Sequence, residues 1–184
     1  MEPGEGTSSL TIAVGESRIN KTALLGTTLT VVLAADVATK TWIRSHMALY
    51  QSIPILGDFF RLTFTQNPGA AFGIHVGDHS RIVFLILSIA ALFVLGYLYR
   101  TTPAIDRLRL VAIALVGSGA VGNIIDRLRF PRGVVDFLDV GIGTHRWPVF
   151  NVADMAVSTG AVLLLISFYV EEHREGGEGG RETD

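Results

Sequence analysis

The chain has 184 residues, of which 49% are hydrophobic and only 17% are charged, below the roughly 25% of an average soluble domain. Its 15 basic and 17 acidic residues give a net charge of −2, and no basic stripe points to nucleic acid. The absence of cysteine excludes disulfide frameworks, thiolate nucleophiles and cysteine-ligated metals.

The apolar residues are gathered into four segments, and about 20 such residues cross a bilayer core of about 30 Å. They predict membrane spans at about 22–39, 82–99, 110–125 and 152–170. Residues 1–21 are polar and lack the basic start and apolar core of a signal peptide, so we expect a polar tail followed by a retained first span. The charged, Gly-rich residues 171–184 are expected to be disordered.

The connections 41–80 and 127–150 carry signs of β-structure. Phe60, Leu62 and Phe64 alternate with other residues, which predicts a strand, and an Asn-Pro-Gly turn follows it. The segment "GVVDFLDVGIG" (133–143) fits either a second strand or a short interfacial helix. The predicted fold class is therefore an all-α membrane protein with four transmembrane helices in one membrane domain, 22–170, and a small extracytoplasmic β-containing element.

The orientation follows from the distribution of positive charge. Four spans place both termini on one side, and the two sides carry similar numbers of Lys and Arg. Three arginines crowd the short connection 100–109, and cytoplasmic loops are the ones enriched in basic residues. We therefore expect both termini in the cytoplasm and the two longer connections outside.

Polar residues gather where three spans meet this outer face. The set comprises Asp36, Lys40, Asn123, Asp126, Arg127, Asn151 and Asp154, joined by Asn67 and Asp136 from the two outer connections. Carboxylates within a membrane are costly and are usually retained where they pair or perform a function. The clustering is thus stronger evidence for a site than any single residue.

Each of these residues also has a structural explanation. Asn151 could cap the fourth helix, and Asp154 could lie at the positive end of that helix dipole. Asp36 and Lys40, four residues apart, suit a helical ion pair. Asp139 is expected to be a solvated loop charge. These alternatives stay open at the level of the residues alone.

Three local motifs do not support other chemistries. The segment "GSGAVG" (117–122) matches a dinucleotide pattern, but it lies inside an apolar span with no preceding strand, where small residues allow helices to pack closely. The segment "HVGDH" (75–79) is a poor match to zinc motifs. Ser118 has no histidine within any span to activate it. We expect no metal and no cofactor.

Three blocks together resemble one family, the lipoprotein signal peptidases (signal peptidase II). They are "QNPGAAFGI" (66–74), "GSGAVGNIIDRLRFPRGVVDFLDV" (117–140) and "WPVFNVADMA" (147–156). The segment "AADVATK" (34–40) is similar to the Asp/Lys motif of the family's first span. The blocks occur in the family's order, and the similarity runs from about Thr22 to Val170.

The resemblance implies a membrane-embedded aspartyl endopeptidase that removes the signal peptide from diacylglyceryl-modified prolipoproteins by cleaving before the lipidated cysteine. It implies a multi-pass protein of the bacterial cytoplasmic membrane with its active site near the outer face. The expected partners are these prolipoproteins and membrane lipids, with no nucleic acid, and we expect a monomer.

The resemblance also assigns roles to particular residues. The catalytic pair matches Asp136 and Asp154. The family's other active-site or substrate-contacting positions match Asn67, Gly119, Asn123, Arg127 and Asn151. Asp126 belongs to the same motif, but we assign it to structural support, with Asp36 and Lys40, because the adjacent Arg127 offers it an ion pair.

Two nearby carboxylates could supply the required chemistry without a metal, Ser or Cys. Like charges about 3 Å apart resist double ionisation, so such a pair holds one proton. The ionised carboxylate takes a proton from water, and the protonated one hydrogen-bonds the scissile carbonyl. The alternatives are a small transporter or channel subunit with a carboxylate relay, and a membrane scaffold. A relay would space its polar residues through the bilayer, whereas here they lie at one face.

Overall fold

The structure, a computed structural model, describes residues 20–69 and 77–179 and contains four long helices. They are α1 (Lys21–His46), α2 (Ser80–Thr101), α3 (Arg107–Arg129) and α4 (Val152–Gly179). Each helix is long and apolar enough to cross a membrane, which confirms the four predicted spans. Of the predicted N-terminal tail, only Asn20 and Lys21 fall within the described residues.

The helices extend further than the apolar segments that predicted them. The clearest case is α4, which continues to Gly179, into the segment for which the sequence predicts a disordered tail. Glu and Arg are good helix formers, and Glu171 is held by Arg109 of α3, with 2.6 Å between carboxylate and guanidinium. Residues 180–184 lie outside the described part of the chain.

A four-stranded antiparallel sheet covers one end of the helices. Its strands are β1 (Ser52–Leu56), β2 (Phe60–Asn67), β3 (Val134–Ile142) and β4 (His145–Arg146), in the order β1-β2-β3-β4. The predicted strand at Phe60–Phe64 is confirmed as part of β2, and the segment 133–143 forms a strand rather than a helix. The register places Thr65 of β2 opposite Asp136 of β3.

An apolar cluster fastens the sheet to the helices. Ile43 and Met47 from the end of α1 pack with Phe64 of β2 and with Val135 and Phe137 of β3, and all five are at most 7% exposed. Fully burying side chains of this size contributes about 1.5–3 kcal/mol each. The sheet is therefore a fixed part of the molecule.

Asp139 on β3 is buried, contrary to the expectation from the sequence. It is 5% exposed, its carboxylate lies 2.6 Å from Arg146 Nε, and it accepts a hydrogen bond of 2.6 Å from Thr63 Oγ1. The prediction of a solvated loop charge is wrong, because residue 139 lies in a strand next to β2 and its side chain is covered by neighbouring residues.

Small residues allow α3 to pack closely against α4 and α1, as the sequence predicts. A Cβ atom at Gly119 would lie 2.3 Å from the carbonyl oxygen of Ala153 in α4. A Cβ atom at Gly122 would lie 2.8 Å from the Asp36 carboxylate in α1. Both distances are below van der Waals contact, so the helix spacing requires glycine at these positions.

We expect Gly119→Ala to lower the thermal stability of the detergent-purified protein, because the added methyl group must push α4 away from α3. Overpacking of this kind costs about 1–3 kcal/mol. The matched control is Gly117→Ala, two residues earlier on the same helix, where an added Cβ meets nothing within 4 Å. The control should melt at or slightly above the parent temperature. Equal melting of the two variants would contradict this account of the packing.

Candidate active site

Asn151 and Asp154 form a reciprocal cap at the start of α4. The Asp154 N–H donates to Asn151 Oδ1 at 2.9 Å, and the Asn151 N–H donates to Asp154 Oδ2 at 3.1 Å. This is the geometry of a capping box, and it places a carboxylate at the positive end of the helix dipole. The structural explanation of both residues is therefore correct, but it accounts for only part of their contacts.

The Asn151 amide also reaches the second carboxylate. Asn151 is completely buried, and its Nδ2 donates to Asp136 Oδ1 at 2.7 Å. The same nitrogen lies 3.3 Å from the Val135 carbonyl oxygen and 3.2 Å from Asn123 Oδ1. Asn151 thus connects the two aspartates, accepting from the backbone of one and donating to the side chain of the other.

Asp136 is the more deeply buried carboxylate, at 2% exposure. The register of β2 and β3 brings Asn67 beside it, and the Asn67 side chain forms a second hydrogen bond to it. Burial, and then the negative charge of Asp154, raise the pKa of Asp136 to about 7, against the opposing effects of both hydrogen bonds and of the Lys40 charge. This carboxyl therefore holds a proton over much of the range below neutral pH.

Asn123 fixes the orientation of Asp154. Its Nδ2 donates to Asp154 Oδ1 at 2.7 Å, while its Oδ1 accepts from Asn151 Nδ2 and lies 3.4 Å from Lys40 Nζ. An ammonium group can only donate, so the Asn123 oxygen must face Lys40 and its N–H groups must face Asp154. Both oxygens of Asp154 consequently have fixed donors within the protein.

Behind this site lies a buried charge cluster of Asp36, Lys40 and Asp126. Lys40 Nζ is 2.7 Å from Asp36 Oδ2 and 2.9 Å from Asp126 Oδ2, and all three residues are at most 6% exposed. The predicted Asp36–Lys40 ion pair is confirmed. The predicted pairing of Asp126 with Arg127 is wrong: successive residues of a helix do not face each other, and Asp126 faces α1.

Arg127 instead lines a cavity of about 720 Å³ together with Asp136, Asp154 and Asn67. The remaining wall includes Phe84 of α2, residues 147–150 and a mostly apolar part of α4 formed by Met155, Val157, Ser158, Thr159 and Ala161. Arg127 Nη1 donates to the Asn123 carbonyl at 3.3 Å. Within the described part of the chain, Arg127 Nε is the one buried side-chain nitrogen or oxygen without a hydrogen-bond partner.

The predicted site residues thus fall into three positions. Asn67, Arg127, Asp136 and Asp154 line the cavity, and Asn123 and Asn151 lie directly behind the two carboxylates. Gly119 lies in the α3–α4 contact instead. Residues 70–76, which include the end of the "QNPGAAFGI" block and His75, are outside the described residues.

Sequence reasoning missed the apolar wall of the cavity. Phe84 and Met155 belong to apolar segments in which nothing distinguishes a cavity-lining side chain from a lipid-facing one. Trp147 was part of a recognised block, but no role was predicted for it. No group of three or more His, Asp or Glu suited to a metal ion occurs among residues 20–69 and 77–179.

Comparison with known proteins yields consistent similarities. A family model described as signal peptidase (SPase) II matches residues 28–170. A lipoprotein signal peptidase of Geobacter sulfurreducens is 44% identical over 144 residues, covering 78% of this chain and 89% of that protein. One of Desulforapulum autotrophicum is 40% identical over 139 residues, covering 74% and 85%. A solved bacterial membrane enzyme superposes with a TM-score of 0.74 at 32% identity, covering 82% and 90%.

The environment of Asp136 predicts a specific pH dependence of stability. An aspartate in the unfolded chain titrates near pH 3.9, and in the folded protein the pKa is about 7. The folded state therefore binds more protons at Asp136 between these values, so the contribution of Asp136 to stability is greatest below about pH 4 and is lost as the pH rises to about 7. This pKa difference between the unfolded and folded states corresponds to at most about 4 kcal/mol in the free energy of unfolding.

Asp136→Asn should remove this loss of stability with rising pH, because the amide does not titrate. Melting temperatures of the purified parent and variant should be measured from pH 4 to pH 8. The melting temperature of the variant minus that of the parent should rise with pH up to about pH 7 and stay constant above it. Parallel melting curves across the whole range would contradict the assignment.

Proposed function

The chain belongs to the signal peptidase II family, multi-pass bacterial membrane proteases that remove signal peptides from prolipoproteins, and we propose that it does so as an aspartyl endopeptidase whose catalytic pair is Asp136 and Asp154. The observation that carries the proposal is that both carboxylates line one cavity and are linked behind it by Asn151. A carboxylate relay is not favoured, because the polar side chains of the site gather at one end of the helices.

The chemistry uses one proton shared by the pair. The raised pKa of Asp136 beside Asp154 favours a singly protonated state near neutral pH, and this proton belongs to the pair rather than to either residue. The ionised carboxylate takes a proton from water as the water oxygen attacks the scissile carbonyl carbon. The protonated carboxyl hydrogen-bonds the carbonyl oxygen, and a proton then passes to the leaving nitrogen as the C–N bond breaks.

Asn123 and Asn151 are proposed to position the carboxylates. The substrate-contacting role suggested for them by the family resemblance stays a prediction, since their side chains hydrogen-bond Asp136, Asp154 and each other. Holding reacting groups in a fixed geometry supplies much of the advantage of an enzyme over free reactants. The contacts of Gly119 likewise support a packing role.

Asn67 and Arg127 are the proposed substrate contacts. Both line the cavity, and both carry side-chain N–H donors. A carbonyl oxygen of the bound substrate would accept a hydrogen bond from these groups in place of water, and bonds to a charged donor are the stronger ones. These two residues would therefore orient the peptide or the glyceryl ester next to the carboxylates.

The apolar wall of the cavity supports a lipid-modified substrate. Phe84 from α2 and Met155, Val157 and Ala161 from α4 extend from the two carboxylates along the membrane-spanning part of the protein. Such a surface suits acyl chains and the apolar part of a signal peptide, both of which lie in the bilayer. We propose cleavage before a diacylglyceryl-modified cysteine, by a monomer whose membrane domain spans residues 22–170.

The test of the catalytic pair is substitution of each aspartate. Asp136→Asn and Asp154→Asn should each abolish cleavage of a lipidated prolipoprotein, because Asn keeps the size but can neither accept nor share the proton. Residues that act as a unit are not additive, so the double variant should be no worse than either single one. Cleavage rates are compared at equal concentrations of folded protein.

Two carboxylate variants serve as controls. Asp139→Asn, three residues further along β3, should retain turnover, since Asp139 pairs with Arg146 outside the cavity. Asp126→Asn should lower thermal stability because it removes a partner of the buried Lys40, with residual activity in the folded fraction. A folded, inactive Asp126→Asn beside an active Asp136→Asn would mean that the wrong partner was chosen for Asp154.

We also propose that both termini are cytoplasmic and that the sheet and cavity lie near the outer face of the membrane. The arginines packed at residues 100–109 support this orientation. Because the chain has no cysteine, Thr144→Cys beside the sheet and Ile105→Cys at the opposite end can be labelled individually; both positions are exposed. In intact cells an impermeant thiol reagent should label position 144 and leave position 105 protected. The reverse pattern would invert the orientation.

A further inference from the structure

Phe130, which follows α3, is surrounded by three arginines. The guanidinium carbon of Arg44 lies 3.9 Å from the centre of the Phe130 ring, and that of Arg129 lies 5.5 Å from it. Arg81 Nη1 reaches the Phe130 carbonyl oxygen at 3.5 Å. We refer to Arg44, Arg81 and Arg129 as the Phe130 arginine cluster.

The cluster is assembled from three helix ends at the sheet side of the molecule. Arg44 lies in the last turn of α1, Arg81 in the first turn of α2, and Arg129 is the last residue of α3. None of the three lines the cavity that contains the aspartates. The cluster is therefore a second polar feature at this end of the protein, separate from the proposed active site.

The charges of the cluster have no partner among the described carboxylates. Among the side chains that the structure describes, no carboxylate forms an ion pair with Arg44, Arg81 or Arg129, whereas Arg61 and Arg146 at the same end pair with aspartates. The aromatic ring attracts the faces of the guanidinium groups and leaves their N–H edges available. Several cations this close together favour an anion from outside the protein.

Exposed aromatic residues indicate the depth of the cluster in the membrane. Trp42, on the same turn of α1 as Arg44, is 49% exposed, and Tyr50 just beyond the helix is 74% exposed. Trp and Tyr concentrate at the level of the lipid headgroups, where one end of the ring is apolar and the other is hydrated. Aromatic residues at this height favour a position of the cluster near the lipid phosphates.

We propose that the Phe130 arginine cluster binds the headgroup of an anionic phospholipid of the surrounding leaflet. Guanidinium groups present paired N–H donors that match the oxygens of a phosphate. A zwitterionic headgroup is a poorer ligand, because its own cation would compete with the arginines. The ligand is distinct from the diacylglyceryl group of the proposed substrate, which carries no phosphate.

The experiment is a lipid titration of the purified protein in detergent, followed by melting temperature and by native mass spectrometry. Phosphatidylglycerol should raise the melting temperature and remain bound, whereas phosphatidylcholine with the same acyl chains and inorganic phosphate should do neither. Each arginine near an anionic lipid contributes about a fivefold gain in affinity. Arg44→Gln/Arg129→Gln should therefore bind phosphatidylglycerol about thirtyfold more weakly.

Further variants test whether the loss of affinity comes from the charges of the cluster. Arg44→Lys/Arg129→Lys keeps the charge and should retain part of the affinity, and Arg100→Gln, at the other end of the helices, should bind as the parent does. If the double Gln variant does not fold, each single Gln variant should show about a fivefold loss. Unchanged affinity in the Gln variants, an equal loss in Arg100→Gln, or an equal response to phosphatidylcholine or inorganic phosphate would overturn the proposal.

Discussion

The rest of the structure depends on one ammonium group, that of Lys40, buried between the carboxylates of Asp36 and Asp126. Removing one partner from such a buried set costs about 3–5 kcal/mol, because the remaining charges lose their compensation. The three groups must therefore stay together, and with them α1 and α3. The same carboxylates also bind backbone: Asp36 accepts from the Ala153 N–H, and Asp126 accepts from the Val135 N–H.

These two backbone contacts position the segments that carry the two proposed catalytic aspartates. Val135 directly precedes Asp136 on β3, and Ala153 directly precedes Asp154 on α4. One buried ion cluster thus holds the chain next to each of the two proposed catalytic carboxylates, although they belong to a strand and a helix that are separated in sequence. Asn151 completes the arrangement by connecting the two side chains. The positions of the aspartates follow from electrostatics in the apolar interior, with the cavity open on their other side.

The sequence was sufficient to predict what depends on composition and local pattern. Segregated apolar residues identified four spans, alternation identified the strand at Phe60–Phe64, and the clustering of polar residues indicated the candidate site. Pairings that depend on side-chain direction were not accessible: adjacency in sequence suggested Arg127 for Asp126, but the fold supplies Lys40. The burial of Asp139 and the short strands β1 and β4 depend on sheet pairing, which no local pattern encodes.

The reciprocal cap of Asn151 and Asp154 couples the integrity of α4 to the catalysis proposed for Asp154. If the first turn of α4 frays, the proposed catalytic carboxylate loses both its backbone partner and its alignment in the same event. Local unfolding of a single helical turn would therefore switch the active site off without any global change in the fold. A compound that stabilised the frayed turn would inhibit the protein without resembling its substrate.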